Sequence, residues 1–247
     1  SLALGAYQWN VKTDKAQEVP ELALATTDTK SVQIAATISE ALYTARDLIL
    51  TPSNIKNPLW MATEAKKIAE HKGLEISVLA GKELARFGGL RAVGQSSPKP
   101  GPRFIEVTYT PKGKARSAAA LPHVVIVGKG ITFDTGGISL KPPAGMHAMK
   151  ADMSGAAAVV ATIRAVADRG LKINVTAYAA CAENMPGGGA QRDLRPHHAG
   201  EGEAWSYRDH AHHGRLARHD PARVLHCGRI GGRDRHRPWR WPRARRW

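Results

Sequence analysis

The sequence has 247 residues, of which 43% are hydrophobic and 23% charged, so neither a disordered nor a fibrous class is favoured. It contains no apolar run of the roughly 18 residues needed to cross a bilayer, and its opening SLALGAYQWN is too short and polar for a signal peptide. The net charge of +15 makes nucleic acid a candidate partner. Two cysteines cannot form a disulfide framework, which agrees with a cytoplasmic protein.

Two amphipathic helices are predicted in the first third of the chain. Apolar residues recur at helical spacing over residues 34–48, and Thr51-Pro52-Ser53-Asn54 ends that run. A second helix is predicted over residues 58–71, with Asn57 as its cap, Pro58 at its first position and Gly73 just past its end.

Strands and a further helix follow. Segments rich in apolar or β-branched residues predict strands at 74–79, 104–109, 124–127 and 173–179. A helix is predicted over residues 155–168, with Ser154 as its cap. This alternation favours an α/β fold, with a mixed or mostly parallel sheet flanked by helices. In such folds the loops beyond the strand ends carry the chemistry, so we expect it just after Val127.

Residues 191–247 differ in composition from the rest of the chain. They contain 14 Arg and no Lys, together with 8 of the 11 His and 4 of the 6 Trp. No helical or strand period is present there. Such a switch is typical of a GC-rich coding sequence read out of frame, and a genuine basic tail is the alternative.

Charged residues gather in the glycine-rich segment that follows Val127. Residues 127–141 read V-G-K-G-I-T-F-D-T-G-G-I-S-L-K, which places Lys129, Asp134 and Lys141 in one predicted loop. M-K-A-D-M-S-G at residues 149–155 adds Asp152 just before a helix. Hard divalent cations prefer carboxylate oxygens, and a two-metal hydrolase needs several of them. Asp134 and Asp152 are therefore candidate metal ligands.

Each of these residues also has a simpler interpretation. A lysine between glycines is ordinarily solvated, an aspartate before Thr-Gly-Gly ordinarily belongs to a turn, and an aspartate before a helix favours the helix start. Val-Gly-Lys-Gly lacks the spacing of a phosphate-binding loop, which excludes that site.

The joint pattern resembles the leucyl aminopeptidase (cytosol aminopeptidase) family. Three of its blocks occur in order, at residues 127–141, 149–158 and 182–186, the last being A-E-N-M-P. Thr51-Pro52-Ser53-Asn54 resembles an upstream family segment, so the resemblance covers about residues 36–190 of the catalytic domain. Residues 1–35 resemble the end of the family's N-terminal domain.

The resemblance implies a metal-dependent aminopeptidase that releases leucine-like residues from peptides with a free amino terminus. Two divalent ions, Mn²⁺ or Zn²⁺ and also Mg²⁺, would be the cofactors. Lys129, Asp134 and Asp152 would bind the metals, Lys141 would act at the scissile carbonyl, and Met149 would line the substrate pocket. The family also implies a hexamer in the cytoplasm.

One block of the family is missing. Asn-Thr-Asp-Ala-Glu-Gly-Arg-Leu supplies two further acidic ligands and a catalytic arginine, whereas the corresponding Asp209-His210-Ala211-His212-His213-Gly214-Arg215-Leu216 shares only Gly-Arg-Leu. We therefore expect a chain truncated or frameshifted after about Ala190, with little activity, and assign no role to Arg215. The alternative is a non-catalytic protein whose basic tail binds nucleic acid.

Overall fold

The computed structural model describes residues 2–5, 7–9, 23–71, 73–112, 121–186 and 226–228. The chain divides into two compact units, Ser1–Val32 with Asp193–Trp247, and Gln33–Arg192. In the first unit, helix α1 spans Leu2–Gly5, and strands β1 (Ala23–Ala25) and β6 (His226–Gly228) pair in parallel. The assignments of residues 1–35 to an N-terminal domain and of 191–247 to an out-of-frame tail stay predictions.

Four further helices have their bounds as follows: α2 Thr29–Leu50, α3 Pro58–Ala69, α4 Gly88–Gly94 and α5 Ser154–Asp168. Short 3-10 helices span Gly81–Arg86 and Met146–Ala151. The helices predicted over 34–48, 58–71 and 155–168 are thus confirmed. None of the helices in the described part of the chain is long and apolar enough to cross a membrane.

The caps of two helices test the sequence interpretation directly. Asn57 caps α3 as predicted, because its Oδ1 accepts a hydrogen bond from the Trp60 N–H at 2.9 Å. The prediction that Ser154 caps α5 is wrong. Met153 occupies that position, and the Ser154 hydroxyl donates instead to the Ala151 carbonyl at 2.5 Å.

A mixed sheet forms the centre of the second unit. Its strands are β2 Leu74–Ala80, β3 Arg103–Tyr109, β4 His123–Asp134 and β5 Asn174–Asn184, in the order β2-β3-β5-β4. The pairs β2/β3 and β3/β5 are antiparallel, and β4/β5 is parallel. The α/β class with a mixed sheet flanked by helices is therefore confirmed, whereas a mostly parallel sheet is not found.

β4 is much longer than the four residues predicted. The segment expected to be a loop after Val127 continues as strand to Asp134, because β5 pairs with it along the full length from Asn174 to Asn184. Lys129 and Asp134 therefore lie on a strand, and the prediction that they share a loop with Lys141 is wrong. Gly128 allows β4 to approach α5 closely, since a Cβ at this position would lie 2.3 Å from the carbonyl oxygen of Gly155.

The core lies between one face of the sheet and helices α3 and α5. Its fully or nearly buried members include Met61, Ala65, Ile105, Val107, Ala157, Val160, Ile163, Val175, Ala177 and Cys181. Burial raises the pKa of the Cys181 thiol to about 12, so this cysteine is a packing residue rather than a nucleophile. On β4, by contrast, Val125 is 54% exposed and Val127 is 73% exposed.

Candidate metal centre

A β-bulge near the end of β4 sets the direction of two candidate ligands. Lys129 pairs with Ala180 and Asp134 pairs with Asn184, so five steps along β4 match four along β5, with a register shift between Ile131 and Phe133. Side chains alternate between the faces of a strand, and one extra residue reverses that alternation. The bulge therefore places Lys129 and Asp134 on the same face of the sheet.

The Asp134 carboxylate is held by three donors. Its Oδ1 accepts hydrogen bonds from Asn184 Nδ2 at 2.7 Å and from the Gly136 N–H at 2.9 Å, and its Oδ2 accepts one from Lys141 Nζ at 2.5 Å. Burial alone would raise the pKa of Asp134, but the hydrogen bonds from Lys141, Gly136 and Asn184 outweigh it and hold the pKa below the ordinary value. Asp134 is thus an ionised and well-oriented acceptor.

The turn after Asp134 depends on glycine and on the A-E-N-M-P block. Gly136 and Gly137 both have positive φ, at 95° and 67°. A Cβ on Gly137 would lie 2.7 Å from Asn184 Oδ1, and the Thr135 hydroxyl donates to the Asn184 carbonyl at 2.8 Å. Asn184 therefore joins the end of β5 to the turn that follows β4.

Lys141 and Met149 meet beside Asp134. Lys141 Nζ lies 3.1 Å from Met149 Sδ in addition to its ion pair with Asp134. The backbone N–H of Lys141 donates to the Thr135 carbonyl at 2.8 Å, which closes the loop onto the strand end. The structure thus brings three of the predicted site residues together.

Lys129 and Asp152 form a second ion pair. Lys129 Nζ lies 2.7 Å from Asp152 Oδ2, and the two side chains are 59% and 21% exposed respectively. Asp152 directly follows the 3-10 helix Met146–Ala151 and precedes α5. Within the described residues, Asp152 Oδ2 is buried and accepts no hydrogen bond of normal geometry, even from this close ammonium group. Such an oxygen is suited to a cation.

The donors present fit part of a metal site. In the described ranges no group of three or more His, Cys, Asp or Glu residues is placed to hold a metal ion. Two carboxylates and one lysine are fewer ligands than a pair of hard dications requires. Both carboxylates face lysine ammonium groups instead. The described residues alone therefore supply too few ligands to hold a pair of metal ions.

Comparison with known proteins decides the family. The model for the cytosol aminopeptidase family, catalytic domain, matches residues 43–221. The chain belongs to the cytosol aminopeptidase family. The matched range includes Gly214-Arg215-Leu216, and the truncation or frameshift expected after about Ala190 stays a prediction.

Two bacterial relatives show how much of a full-length family protein this chain covers. The probable cytosol aminopeptidase of Mycobacterium ulcerans (strain Agy99) is 48% identical over 159 residues, which cover 64% of this chain and 30% of that protein. The probable cytosol aminopeptidase of Desulfovibrio desulfuricans is 41% identical over 212 residues, covering 85% and 40% respectively. The chain therefore spans less than half the length of these relatives.

Solved structures agree with the fold. The bottromycin maturation enzyme BotP in complex with Mn is 39% identical, with a TM-score of 0.66, and the match covers 76% of this chain and 39% of BotP. The cytosol aminopeptidase from Coxiella burnetii is 29% identical, with a TM-score of 0.65, over 75% of this chain and 38% of that one.

The sequence did not indicate two contributors to the site. It gave no role to Asn184, although A-E-N-M-P was recognised as a block, and it could not foresee the bulge, because a register shift depends on the partner strand. The segment Asp209-His210-Ala211-His212-His213-Gly214-Arg215-Leu216 lies outside the described residues.

Proposed function

We propose that this chain represents the first part of the catalytic domain of a metal-dependent aminopeptidase, in which Lys129, Asp134 and Asp152 bind divalent metal and Lys141 acts at the scissile carbonyl. One arrangement carries the proposal. The bulge turns Lys129 and Asp134 to one face, and Lys129 Nζ forms an ion pair with the buried Oδ2 of Asp152. Bound metals would polarise the peptide carbonyl and activate water.

The residues of this chain would have separate tasks. Asp134, oriented by Asn184 and Gly136, and Asp152 would supply anionic oxygens. Lys129 would have to release its proton and its contact with Asp152 before its Nζ could bind metal. Lys141, as an ammonium group, would stabilise negative charge on the substrate carbonyl. Met149 would contact the first side chain of the peptide, beside Lys141.

We also propose the family's wider properties for the complete protein only. Its substrates would be peptides with a free amino terminus, its metals Mn²⁺, Zn²⁺ or Mg²⁺, its location the cytoplasm and its assembly a homohexamer. Mn²⁺ is the first ion to test, because BotP was solved in complex with Mn. The 247-residue chain itself would bind metal poorly and show little peptidase activity, because its donors are too few.

A chimaera tests this proposal. Residues 33–186 would be continued by the remaining catalytic-domain sequence of the Mycobacterium ulcerans relative and assayed with Mn²⁺ on leucyl peptides, beside the 247-residue chain. We expect the chimaera to cleave peptides with a free amino terminus and to leave their acetylated forms intact. Equal cleavage of both forms would contradict recognition of the amino terminus, and turnover by the 247-residue chain would show that residues 187–247 supply ligands.

Substitutions in the chimaera separate the two lysines. Lys141→Ala should lower kcat by about 100-fold with near-normal metal content, because Lys141 is assigned to the transition state. Lys129→Ala should lose metal instead. Metal analysis beside kcat checks both, and the reverse pattern would exchange the two assignments.

A further inference from the structure

Lys56 is a fully buried lysine outside the sequence blocks that carry the candidate site. It lies between α2 and α3 with 0% of its surface exposed. Its Nζ is close to three backbone carbonyl oxygens, those of Leu48 at 3.0 Å, Ile49 at 2.8 Å and Lys150 at 2.7 Å. An ammonium group has three N–H donors, so the number of donors matches the number of acceptors.

These acceptors belong to two different elements. Leu48 and Ile49 are in the last turn of α2, where carbonyl groups have no partner within the helix. Lys150 is in the 3-10 helix Met146–Ala151. Lys150 Nζ donates in turn to the Leu50 carbonyl at 3.1 Å, so the two lysines cross between the same elements. We name Lys56 and Lys150 the lysine clamp.

The clamp contacts residues on both sides of Asp152 in the sequence. Lys150 precedes this carboxylate by two residues, and Lys56 Nζ also lies 3.2 Å from the sulfur of Met153, which follows it and is itself fully buried. The intervening backbone is tied further, because the Asp152 N–H donates to the Met149 carbonyl at 3.1 Å. The residues on either side of Asp152 are thus held against the end of α2, while its carboxylate contacts Lys129 on the sheet.

An apolar residue could fill the volume of Lys56 but could not replace its hydrogen bonds. Without the ammonium group, three carbonyls would lose a donor, and unsatisfied buried polar groups are costly. Burial lowers the pKa of Lys56 to about 8, so the three-donor form still predominates at neutral pH. Holding the loop, rather than filling space, explains why this position carries a lysine.

We propose that Lys56 is a positioning residue, which holds the 3-10 helix Met146–Ala151 against the end of α2 and so sets the place of Asp152 in the candidate site. The inference rests on the proposed function, since the place of Asp152 matters to chemistry only if Asp152 binds metal. The following measurement needs neither metal nor peptide, so failure of the clamp and failure of the proposed function give different results.

Amide hydrogen exchange on the full 247-residue chain tests the clamp. Lys56→Met should accelerate exchange in residues 146–153 by at least about tenfold while strand β5 changes far less, because the loop opens locally. Lys67→Met is the matched control, since Lys67 is a partly exposed lysine on α3 whose ion pair is with Glu64. It should leave both segments unchanged.

Chemical rescue distinguishes the effect of the Lys56 ammonium group from the effect of the volume that its side chain fills. In Lys56→Ala, added propylammonium should restore slow exchange in residues 146–153, whereas 1-propanol should not. If Lys56→Met does not fold, Lys150→Met removes the return bond to the Leu50 carbonyl and should accelerate exchange in the same segment more weakly. Equal acceleration in 146–153 and β5, or equal rescue by the alcohol, would overturn the proposal.

Discussion

Asp134 and Asp152 are each paired with a lysine, but the chain holds the two carboxylates by different means. The Asp134 region, residues 132–141 with Asn184, is built from the ends of two paired strands and a glycine turn. The Asp152 region, residues 146–153, is a short 3-10 helix and turn held by the lysine clamp. One carboxylate accepts hydrogen bonds at both oxygens, whereas the other keeps a buried oxygen without one.

This difference separates a preformed ligand from an adjustable one. Asp134 is oriented by residues close to it in the sheet, so its geometry follows from the strand register. Asp152 depends instead on packing against α2, which lies far from it in sequence, and against α5, which follows it. A cation entering the site would therefore meet one carboxylate held by three hydrogen bonds and one held by its ion pair with Lys129.

The largest expected effect comes from opening the contact between β4, which leads into the Asp134 region, and α5, which follows the Asp152 region. Gly128 on β4 and Gly155 in α5 touch through their backbones, and an added Cβ would lie 2.3 Å from the Gly155 oxygen. We expect Gly128→Ala to lower the free energy of unfolding by about 3 kcal/mol or more, because backbone cannot move aside cheaply. Urea denaturation measures this.

Gly89→Ala is the matched control for that substitution. Gly89 lies in helix α4, and a Cβ there would meet nothing within 4 Å. It should be neutral or stabilising by up to about 1 kcal/mol, since alanine favours helix over glycine. If the two variants lost equal stability, the close approach of β4 and α5 would be wrong.

Much of the Asp134 region was predictable from sequence, and much of the Asp152 region was not. The block at residues 127–141 predicted Asp134 and Lys141, and glycines marked the turn, whereas the block at 149–158 predicted Met149 and Asp152 without indicating what holds them. Nothing in the sequence around Lys150 indicates that its Nζ donates to the end of α2. Lys56 carries no local signal at all, because a lysine between two helices is ordinarily exposed, and its burial follows only from tertiary packing.

A smaller loss of stability is expected when the side chain that contacts either carboxylate is removed, and its size should differ between the two regions. Asn184→Ala should cost about 1 to 2 kcal/mol, because Asp134 loses a donor to a charged oxygen. Lys129→Ala should cost under about 1 kcal/mol, since its ion pair with Asp152 is well exposed on the lysine side. Denaturation of both variants under the same conditions compares them. A larger loss for Lys129→Ala would mean that Asp152 is the more rigidly held carboxylate.

The smallest effect concerns the pH dependence of stability at Asp134. Burial opposes ionisation there, but the bonds from Lys141, Gly136 and Asn184 hold its pKa below the ordinary value of 3.8. A lowered folded-state pKa means that the ionised form stabilises the fold above the unfolded value, and that this contribution is lost as pH falls through the folded value. The stability gap between the wild-type chain and Asp134→Asn should therefore be constant from about pH 5 to 7 and shrink below about pH 3.8. Denaturant titrations across that range measure the gap, and a gap that persisted unchanged to about pH 2.5, or widened on acidification, would contradict the hydrogen-bonded setting assigned to Asp134.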